Sequence, residues 1–513
     1  MESLDIVQDT VLAAMAVDYP QDRIRVIVTD DGASAEVRAW VEALAICNLH
    51  YTARVKEGSA GYKAGNLNHA IDFIKTLPGG PADYIAGLDA DMIPEKRWLR
   101  SVLPHLLLDP KLGVATPRQC FYNIPTGDPL FQNNQISWAI TDGFRDSLHC
   151  VWNSGSGYVM RRTALEDIGG FALGSVTEDV FSSMLKLSKG WKSAYLAEAL
   201  QFGLVPNSYL GHIKQQVRWV SSSDHSINLC LDLEKSLNFK QRLSGFWNLP
   251  NAYRHILDTV DLVLVPIFLL DNSRSHGQVE MLRRFTQISC VAGLTHFLHD
   301  WTRGWLIGYR TAIRESGLQL YMAPYYVIAI LRSFVLPHSL GGTEPGFKAT
   351  GSISDDTHER NASQRAPLTR RAKHMIMGCG VWVHVFLIVY YLSYTVWHTR
   401  RIILQATTPP EGGFDASSSP LLWMEAAWLA PRSFKVLATC LTPVRYMFAP
   451  PNDPPRGDLM AEREETTGAR YPKDAARKLW WSSWNCWNLF DFEILYFAIA
   501  TFDVWLLVKT WGV

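Results

Sequence analysis

Residues 23–34 read RIRVIVTDDGAS, an apolar run that ends in two adjacent aspartates and a glycine. The run predicts a short buried strand, and Asp30 and Asp31 follow at the point where that strand stops. In open α/β sheets, ligands bind in the crevice beyond the carboxyl ends of the strands. The two aspartates therefore either face a ligand there or shape a turn, because Asp-Gly is a common turn pair.

Composition limits the class of protein. The chain has 513 residues, with 49 Lys and Arg residues against 49 Asp and Glu residues. A net charge of zero gives no support to nucleic-acid binding, which usually needs a basic surface. The eight cysteines are scattered and form no C-x-x-C pair, which predicts neither a zinc site nor a disulfide framework and is typical of a reducing compartment.

The two halves of the chain differ in the length and spacing of their apolar segments. Up to about residue 230, strand-like runs alternate with helix-like segments, and this alternation predicts an α/β domain. The second half is dominated by long apolar stretches, several of which approach the roughly 20 residues that cross a bilayer. We therefore expect a helical transmembrane region over residues 256–513. The apolar stretches lie at about 256–270, 320–338, 375–397 and 487–511, with a more broken one at 421–449.

Loop charges predict how this region is oriented. Residues 341–373 hold six Lys or Arg residues, whereas residues 398–420 hold two. Positive loops usually stay in the cytosol, so we expect residues 341–373 there. The stretch 279–309 is partly apolar but charged, and we expect it to lie in the membrane interface.

Two further motifs of the first half carry groups suited to phosphate and metal. GYKAGNLNHA (61–70) has glycines that allow close backbone approach, and Lys63 is placed to meet a phosphate. A loop that caps a helix from Asn66 is an equal alternative. In LDADM (88–92), Asp89 and Asp91 end another apolar strand, where side chains two residues apart share a face. Carboxylate oxygens suit Mg²⁺ or Mn²⁺, which such sites usually share with substrate phosphates.

Two helical motifs follow. In SVTEDVF (175–181), Glu178 and Asp179 open a helix, where acids are capping residues by default and a general base is the alternative. In QQVRW (215–219), Gln215 and Arg218 share one helical face, and Trp219 offers a flat surface on which a sugar can stack. An ordinary amphipathic helix is the other interpretation.

Taken in order, these motifs resemble the processive family 2 glycosyltransferases, which include the cellulose, hyaluronan and chitin synthases. TPRQCFYN (116–123), NSGSGYVMRRTAL (153–165) and QRL (241–243) add to the resemblance. It covers most of residues 3–250, with looser support to about residue 360. It is specific for the family and not for the product.

The resemblance implies a fold and a donor site. The fold is an α/β GT-A (Rossmann-like) catalytic domain over residues 1–230 on the cytosolic face, an interfacial helix region at 231–255, and a transmembrane channel. The donor would be a UDP-sugar, most simply UDP-glucose or UDP-N-acetylglucosamine. Its nucleotide and diphosphate would be held by Asp30, Asp31, Lys63, Asp89, Gln215 and Arg218, and a Mg²⁺ or Mn²⁺ ion by Asp91 together with Asp89.

The resemblance also implies an acceptor site and a reaction. Asp179 would take the proton from a hydroxyl of a carbohydrate acceptor, which then attacks and inverts the anomeric carbon. Trp219 would stack on the acceptor sugar, with Glu178 beside it. The expected protein is a multi-pass membrane enzyme that extends a polysaccharide. A transferase that modifies a lipid or small metabolite, and an inactive membrane scaffold, are the alternatives.

Two departures from the family pattern lead to further expectations. GFKATGS (346–352) stands where the family has its gating loop, but the lysine that usually follows the threonine is absent. The first residues resemble the helix that follows the family's first strand. From this we expect the chain as given to lack that strand and the preceding membrane helices, and to be weakly stable and weakly active.

Overall fold

The computed structural model describes most of the chain. The predicted gating segment, residues 346–352, lies outside the described part. The described residues are 2–55, 61–125, 128–173, 175, 177–221, 237–246, 248–268, 276–342, 357–407, 419–477 and 494–511.

The strands of the first half form two sheets. β1 (Val26–Thr29) and β2 (Leu49–Thr52) pair in parallel, and β1 confirms the strand predicted from residues 23–28. The larger sheet has the order β3-β6-β5-β7-β4. Only β5 and β7 are parallel in it, so the sheet is mixed and not wholly parallel. Its strands are β3 (Tyr84–Gly87), β4 (Ile93–Pro94), β5 (Leu112–Phe121), β6 (Tyr158–Arg161) and β7 (Lys192–Gly203).

Helices cover these sheets and bury apolar faces against them. On α4, Trp98, Val102 and Leu106 recur every four residues, lie on one face and are buried together with Ala115 of β5 and Val159 of β6. This packing fixes the sheet whose strand ends carry the site. The helices are α1 (Leu4–Met15), α2 (Ala35–Ala43), α3 (Tyr62–Thr76), α4 (Trp98–Leu108), α5 (Gly143–Ser147), α6 (Arg162–Glu166), α7 (Glu178–Ser188) and α8 (Tyr209–Ser221).

The second half is helical, as the apolar stretches predict. Its longest helix, α11, packs against α12 and α18, while α14 packs against α15. The helices are α9 (Phe239–Phe246), α10 (Asn248–Phe268), α11 (His276–Ile307), α12 (Tyr309–Ile330), α13 (Leu368–Lys373), α14 (Trp382–Thr407), α15 (Ser419–Phe448), α16 (Arg456–Leu459), α17 (Asp474–Arg477) and α18 (Leu495–Trp511).

Two predicted apolar stretches are divided differently in the structure. The stretch 375–397 is not one helix, because a π-helical turn at His374–Gly378 precedes α14 and the two segments meet at an angle of 87°. Gly380 lies in the break with φ of +78°, a conformation that glycine adopts easily. Conversely, the stretch 421–449, predicted as broken at Pro431, lies within the single helix α15.

The membrane-spanning prediction has limited support from helix length and hydropathy. In the described part of the chain, no single helix is both long enough and apolar enough for a span. The bent pair Leu368–Gly378 and Trp382–Arg401 meets both requirements when its two segments are taken together.

Candidate active site

A single large cavity collects every residue that the sequence motifs singled out. Its volume is about 1680 Å³, larger than the roughly 300–1,000 Å³ typical of small-molecule sites. Beyond the predicted residues, the cavity continues to helices α10–α12, where Arg254, His299 and Glu315 line it. The predicted residues that line it are Asp30, Asp31, Lys63, Asp89, Asp91, Glu178, Asp179, Gln215, Arg218 and Trp219.

Asp30 at the end of β1 shapes a turn as well as facing the cavity. Its two carboxylate oxygens accept hydrogen bonds from the Gly32 and Ser34 backbone N–H groups at 2.8 and 2.7 Å. Tyr51 of β2 donates a third, at 3.0 Å. A carboxylate has about four acceptor positions, so Asp30 can still accept a bond from a ligand. The turn is confirmed, and the ligand-binding role of Asp30 stays a prediction.

The charge of Asp31 is balanced by an arginine that the motifs missed. Arg54 Nε and Arg54 NH2 lie 2.5 and 3.0 Å from the two Asp31 oxygens, a two-pronged ion pair. Arg54 also donates to the Tyr62 carbonyl at 2.8 Å. Arg54 follows β2, the strand beside β1, and nothing in the local sequence links it to Asp31. The adjacent aspartates are therefore tolerated because one of them is neutralised.

Lys63 lies in the first turn of α3, which begins at Tyr62 and not at Asn66 as one alternative predicted. Lys63 Nζ lies 2.5 Å from Asp89 Oδ1 and 2.8 Å from the Gly155 carbonyl oxygen. Burial would lower the pKa of Lys63, but the carboxylates of Asp89 and Glu178 outweigh it and raise that pKa above its ordinary value. Lys63 is thus a fixed positive charge.

Asp89 and Asp91 lie beyond the end of β3, in a turn, and not on an extended strand as predicted. The Met92 N–H donates to the Asp89 carbonyl at 3.0 Å and closes that turn. Both side chains nevertheless line the cavity. Burial, with the neighbouring charges of Asp89 and Glu2, raises the pKa of Asp91 to about 8.

These two carboxylates fit a divalent cation. A buried carboxyl whose pKa stands near 8 lacks sufficient positive charge nearby, and a bound cation would supply it. Mg²⁺ and Mn²⁺ sites of transferases often use one or two protein carboxylates, with substrate phosphates and waters completing the shell. In the described part of the chain, the only three potential ligand atoms within 4.8 Å of one another belong to His296, His299 and Asp300. Asp89 and Asp91 would accordingly need phosphate oxygens as further ligands.

Asp179 and Glu178 open α7, as the sequence predicts. Burial raises the pKa of Asp179 above its ordinary value, and it raises that of Glu178 to about 7 against the opposing charge of Lys63. A Cβ atom at Gly155 would lie 2.6 Å from Asp179 Oδ2, and Gly155 has φ of +89°. The NSGSG segment therefore needs glycine here, because the backbone passes directly over the carboxylate.

α8 presents Gln215, Arg218 and Trp219 to the cavity. Burial lowers the pKa of Arg218, while the negative charge of Asp179 opposes that shift. Trp219 is 37% exposed, so its ring is accessible from the cavity. The predicted helix and its shared face are confirmed, and the roles of these three side chains stay predictions.

The comparison with known proteins agrees with this geometry. Residues 1–222 match the protein family described as "Glycosyltransferase like family 2". The chain carries a family 2 glycosyltransferase domain. Its α/β architecture with a mixed sheet is the GT-A-like fold expected from the sequence.

The glycosyltransferase chain is similar to curated cellulose synthases. It is 35% identical over 348 residues to a cellulose synthase catalytic subunit, described as UDP-forming, from Komagataeibacter sucrofermentans; the match covers 64% of this chain and 44% of that protein. It is 33% identical over 370 residues to cellulose synthase 1 of Komagataeibacter xylinus, with coverages of 69% and 23%. The chain spans less than half the length of these two relatives.

Among solved structures, the mannosyltransferase PcManGT from Pyrobaculum calidifontis, in complex with GDP-Man and Mn²⁺, matches with a TM-score of 0.43 at 16% identity. The match covers 65% of this chain and 84% of the mannosyltransferase.

Proposed function

We propose that this chain is a membrane-bound, inverting glycosyltransferase that moves a sugar from a UDP-sugar to a hydroxyl of a growing polysaccharide. The observation that carries the proposal is the placement of Asp179. It is a buried carboxyl with a raised pKa, and it shares one cavity with Lys63, Arg218 and the predicted metal ligand Asp91. Sugar transfer from a nucleotide requires a general base, cationic groups and a metal ligand, and this cavity contains candidates for each.

On the donor side, Asp30 or Asp31, together with Asp89, would bind the uridine and its ribose. Lys63 and Arg218, with Gln215, would face the diphosphate, whose negative charge grows as UDP departs. A Mg²⁺ or Mn²⁺ ion held by Asp91 and Asp89 would offset part of that charge. The assignment is supported by the presence of all these side chains in the lining of one cavity.

On the acceptor side, Asp179 would accept the proton of the acceptor hydroxyl. The hydroxyl oxygen forms the new bond to the anomeric carbon, the bond from that carbon to the UDP oxygen breaks, and UDP leaves with the electron pair. Trp219 would stack on the acceptor sugar, and Glu178 would lie beside it. The cavity volume, which exceeds the need of one nucleotide sugar, supports an acceptor longer than a single unit.

A location in the membrane is supported by the outer faces of the long helices. They expose many large apolar side chains, and contiguous apolar surface of this kind usually meets lipid or another protein. We infer several spans with the catalytic domain in the cytosol. Examples of these exposed side chains are Leu257, Leu264, Ile288, Phe386, Val396 and Val508.

Membranes containing the chain, incubated with a panel of radiolabelled UDP-sugars and a carbohydrate primer, test the function. We expect one donor to be incorporated into a product that grows with time, and none in matched membranes containing Asp179→Asn. A product that stops at one added sugar would contradict polymerisation. UDP binding without incorporation of sugar from any donor would contradict the proposal that the chain is an active enzyme.

A further inference from the structure

A second cluster of ligand-type side chains lies on α11, in the helical second half of the chain. His296, His299 and Asp300 occupy positions i, i+3 and i+4, so they share one helical face. One potential ligand atom from each lies within 4.8 Å of the other two. We propose that these three side chains bind a transition-metal cation of the Zn²⁺ class, distinct from the cation at Asp91.

Asp300 is oriented as a metal ligand would be. The residue is fully buried, and its Oδ2 accepts hydrogen bonds from Ser316 Oγ of α12 at 2.7 Å and from Tyr496 OH of α18 at 2.6 Å. Its Oδ1 has no hydrogen-bond partner among the described residues. A buried carboxylate oxygen without a partner is costly, whereas donors to the second oxygen are the usual way of orienting a ligating carboxylate.

The distances match a metal shell better than direct hydrogen bonds. His296 Nε2 lies 3.5 Å from Asp300 Oδ2, and His299 Nδ1 lies 3.4 Å from Asp300 Oδ1. Both separations exceed ordinary hydrogen-bond lengths. Ligands bound tetrahedrally at about 2.0–2.1 Å are separated by roughly 3.3 Å, which is close to the distance between His299 Nδ1 and Oδ1, the proposed ligand oxygen of Asp300. Two imidazoles with one carboxylate favour Zn²⁺ and Co²⁺ over Ca²⁺ and Mg²⁺, which prefer oxygen ligands.

Arg303 is the nearest competing cation on the same helix. Its NH1 lies 3.8 Å from Asp300 Oδ1, while its NH2 lies 3.5 Å from Glu315 Oε1. The contact with Asp300, at 3.8 Å, is too long for a hydrogen bond, so Arg303 does not satisfy this carboxylate oxygen. Glu315 supplies the negative charge that balances the guanidinium once a metal takes Asp300 Oδ1.

The site opens onto the large cavity. The His299 side chain is 49% exposed and lines the cavity wall. With three protein ligands, a tetrahedral metal would keep its fourth position for water or another small ligand. Because Asp300 is hydrogen-bonded to α12 and α18, a bound metal would also stabilise the contact of these two helices with α11.

Zinc binding is tested on purified protein in detergent, in an Asp91→Ala background that removes the proposed catalytic metal. After treatment with chelator, we expect one Zn²⁺ to bind per chain in equilibrium dialysis and to raise Tm. His296→Ala combined with His299→Ala should weaken binding at least tenfold. His105→Ala, at an exposed helical histidine of the catalytic domain, should leave it unchanged. None of these readouts depends on sugar transfer.

Co²⁺ provides a spectroscopic check in the same Asp91→Ala protein. Tetrahedral Co²⁺ with nitrogen and oxygen ligands gives intense visible d–d bands, and we expect them to appear with one equivalent and to disappear on adding Zn²⁺. Equal Zn²⁺ binding by the double variant and by His105→Ala would overturn the proposal. Absence of the Co²⁺ bands from the Asp91→Ala protein would overturn it too.

Discussion

At the scale of single residues, the cavity concentrates negative charge around one lysine. Asp89 and Glu178 lie 2.5 and 3.6 Å from Lys63 Nζ. Asp179 is close enough for the positive charge of Lys63 to act on its carboxyl group. Burial raises the pKa of Glu178 and of Asp179, because a buried carboxylate loses the water that stabilises its charge. A carboxylate in this condition takes up a proton more readily than an exposed one, as a general base must.

Asp179→Asn tests that role. The amide keeps the size of the carboxylate but cannot accept the proton, so we expect transfer to fall by about 10²–10⁴-fold with UDP affinity almost unchanged. Asp142→Asn is the matched control, since Asp142 also lines the cavity and burial raises its pKa to about 6. Initial rates measure transfer, and UDP titrations measure affinity, for each of the two variants. Transfer within tenfold of the parent would remove Asp179 from the role.

Asp91 makes metal binding depend on pH. Its pKa of about 8 means that the metal-free carboxyl is protonated at pH 7, and a cation binds only the deprotonated form. We expect Mn²⁺ affinity to rise roughly tenfold per pH unit below pH 8 and to level off above it, with a proton released on binding. Calorimetry in buffers of different ionisation enthalpy measures this. A flat affinity from pH 6 to 8 would contradict it, and Asp91→Asn should bind no Mn²⁺ in the cavity.

At the scale of elements, α8 is anchored on α12 by polar contacts near its N-terminal end. Tyr209 and His212 are fully buried. The Tyr209 hydroxyl lies 3.1 Å from that of Tyr325, and His212 Nε2 lies 3.2 Å from the Tyr321 hydroxyl. These contacts set the position of the helix that carries Gln215 and Arg218, so the helical region supports the catalytic domain directly.

Tyr321→Phe tests this anchor. It leaves His212 with no partner for either ring nitrogen among the described residues, because Nδ1 has none. We expect a loss of about 1–3 kcal/mol in the free energy of unfolding and a weaker affinity for UDP. Tyr19→Phe, at a half-buried tyrosine of the catalytic domain, is the control and should change neither. Thermal unfolding in detergent and UDP titration supply the values; an unchanged Tm in Tyr321→Phe would show that the contact is dispensable.

At the scale of the whole molecule, the segment after α15 returns to the catalytic domain. Asp9 of α1 is fully buried, with Arg456 NH2 and Arg463 NH2 each 2.6 Å from one of its oxygens. Arg477 lies 2.8 Å from Glu95. Residues more than 440 positions apart in sequence therefore form ion pairs that hold α1 in place.

Single substitutions measure how much these ion pairs stabilise the fold. Asp9→Ala removes a buried carboxylate that pairs with two partly exposed arginines, of which Arg456 keeps Asp5 at 3.0 Å, and we expect it to cost about 1–3 kcal/mol in the free energy of unfolding. The Asp18–Arg100 pair has a similar distance, 2.8 Å, but both side chains are more than half exposed. Asp18→Ala should therefore cost less than about 1 kcal/mol. Denaturant unfolding compares the two, and equal costs would mean that the segment adds no stability.

The orientation of α15 predicts a topology. Buried Arg360 donates a hydrogen bond to Tyr446, near the end of α15, at 3.0 Å, and another to Gln132 of the catalytic domain at 2.5 Å. The end of α15 therefore lies beside the catalytic domain. Its first residue is about 45 Å away, given 30 residues at about 1.5 Å each.

We therefore expect the start of α15, at Ser419, on the opposite side of the membrane from the catalytic domain. In a Cys230→Ser and Cys486→Ser background, Asp415→Cys should react with an impermeant thiol reagent on intact cells. The exposed native Cys47 is the internal control and should react only after permeabilisation. Labelling of both positions only after permeabilisation would contradict the topology.

Much of the architecture could be predicted from the sequence, because it depends on near neighbours. The period of apolar residues specified β1, α7 and α8, and the polar residues at strand and helix ends pointed to one cavity. Local pattern failed where packing decided the geometry. The stretch 375–397 bends at Gly380, and Asp89 and Asp91 lie in a turn beyond β3.

The sequence by itself determined which residues are candidates for the chemistry, since side-chain charge and spacing are properties of short segments. Only the tertiary structure decided what surrounds them. The pairing of β1 with β2 brings Arg54 to Asp31, and the packing of α11 and α12 extends the cavity to His299 and Glu315. Such partners are distant in sequence, and burial, charge balance and pKa depend on which distant groups come together. These properties are fixed only when the whole chain packs.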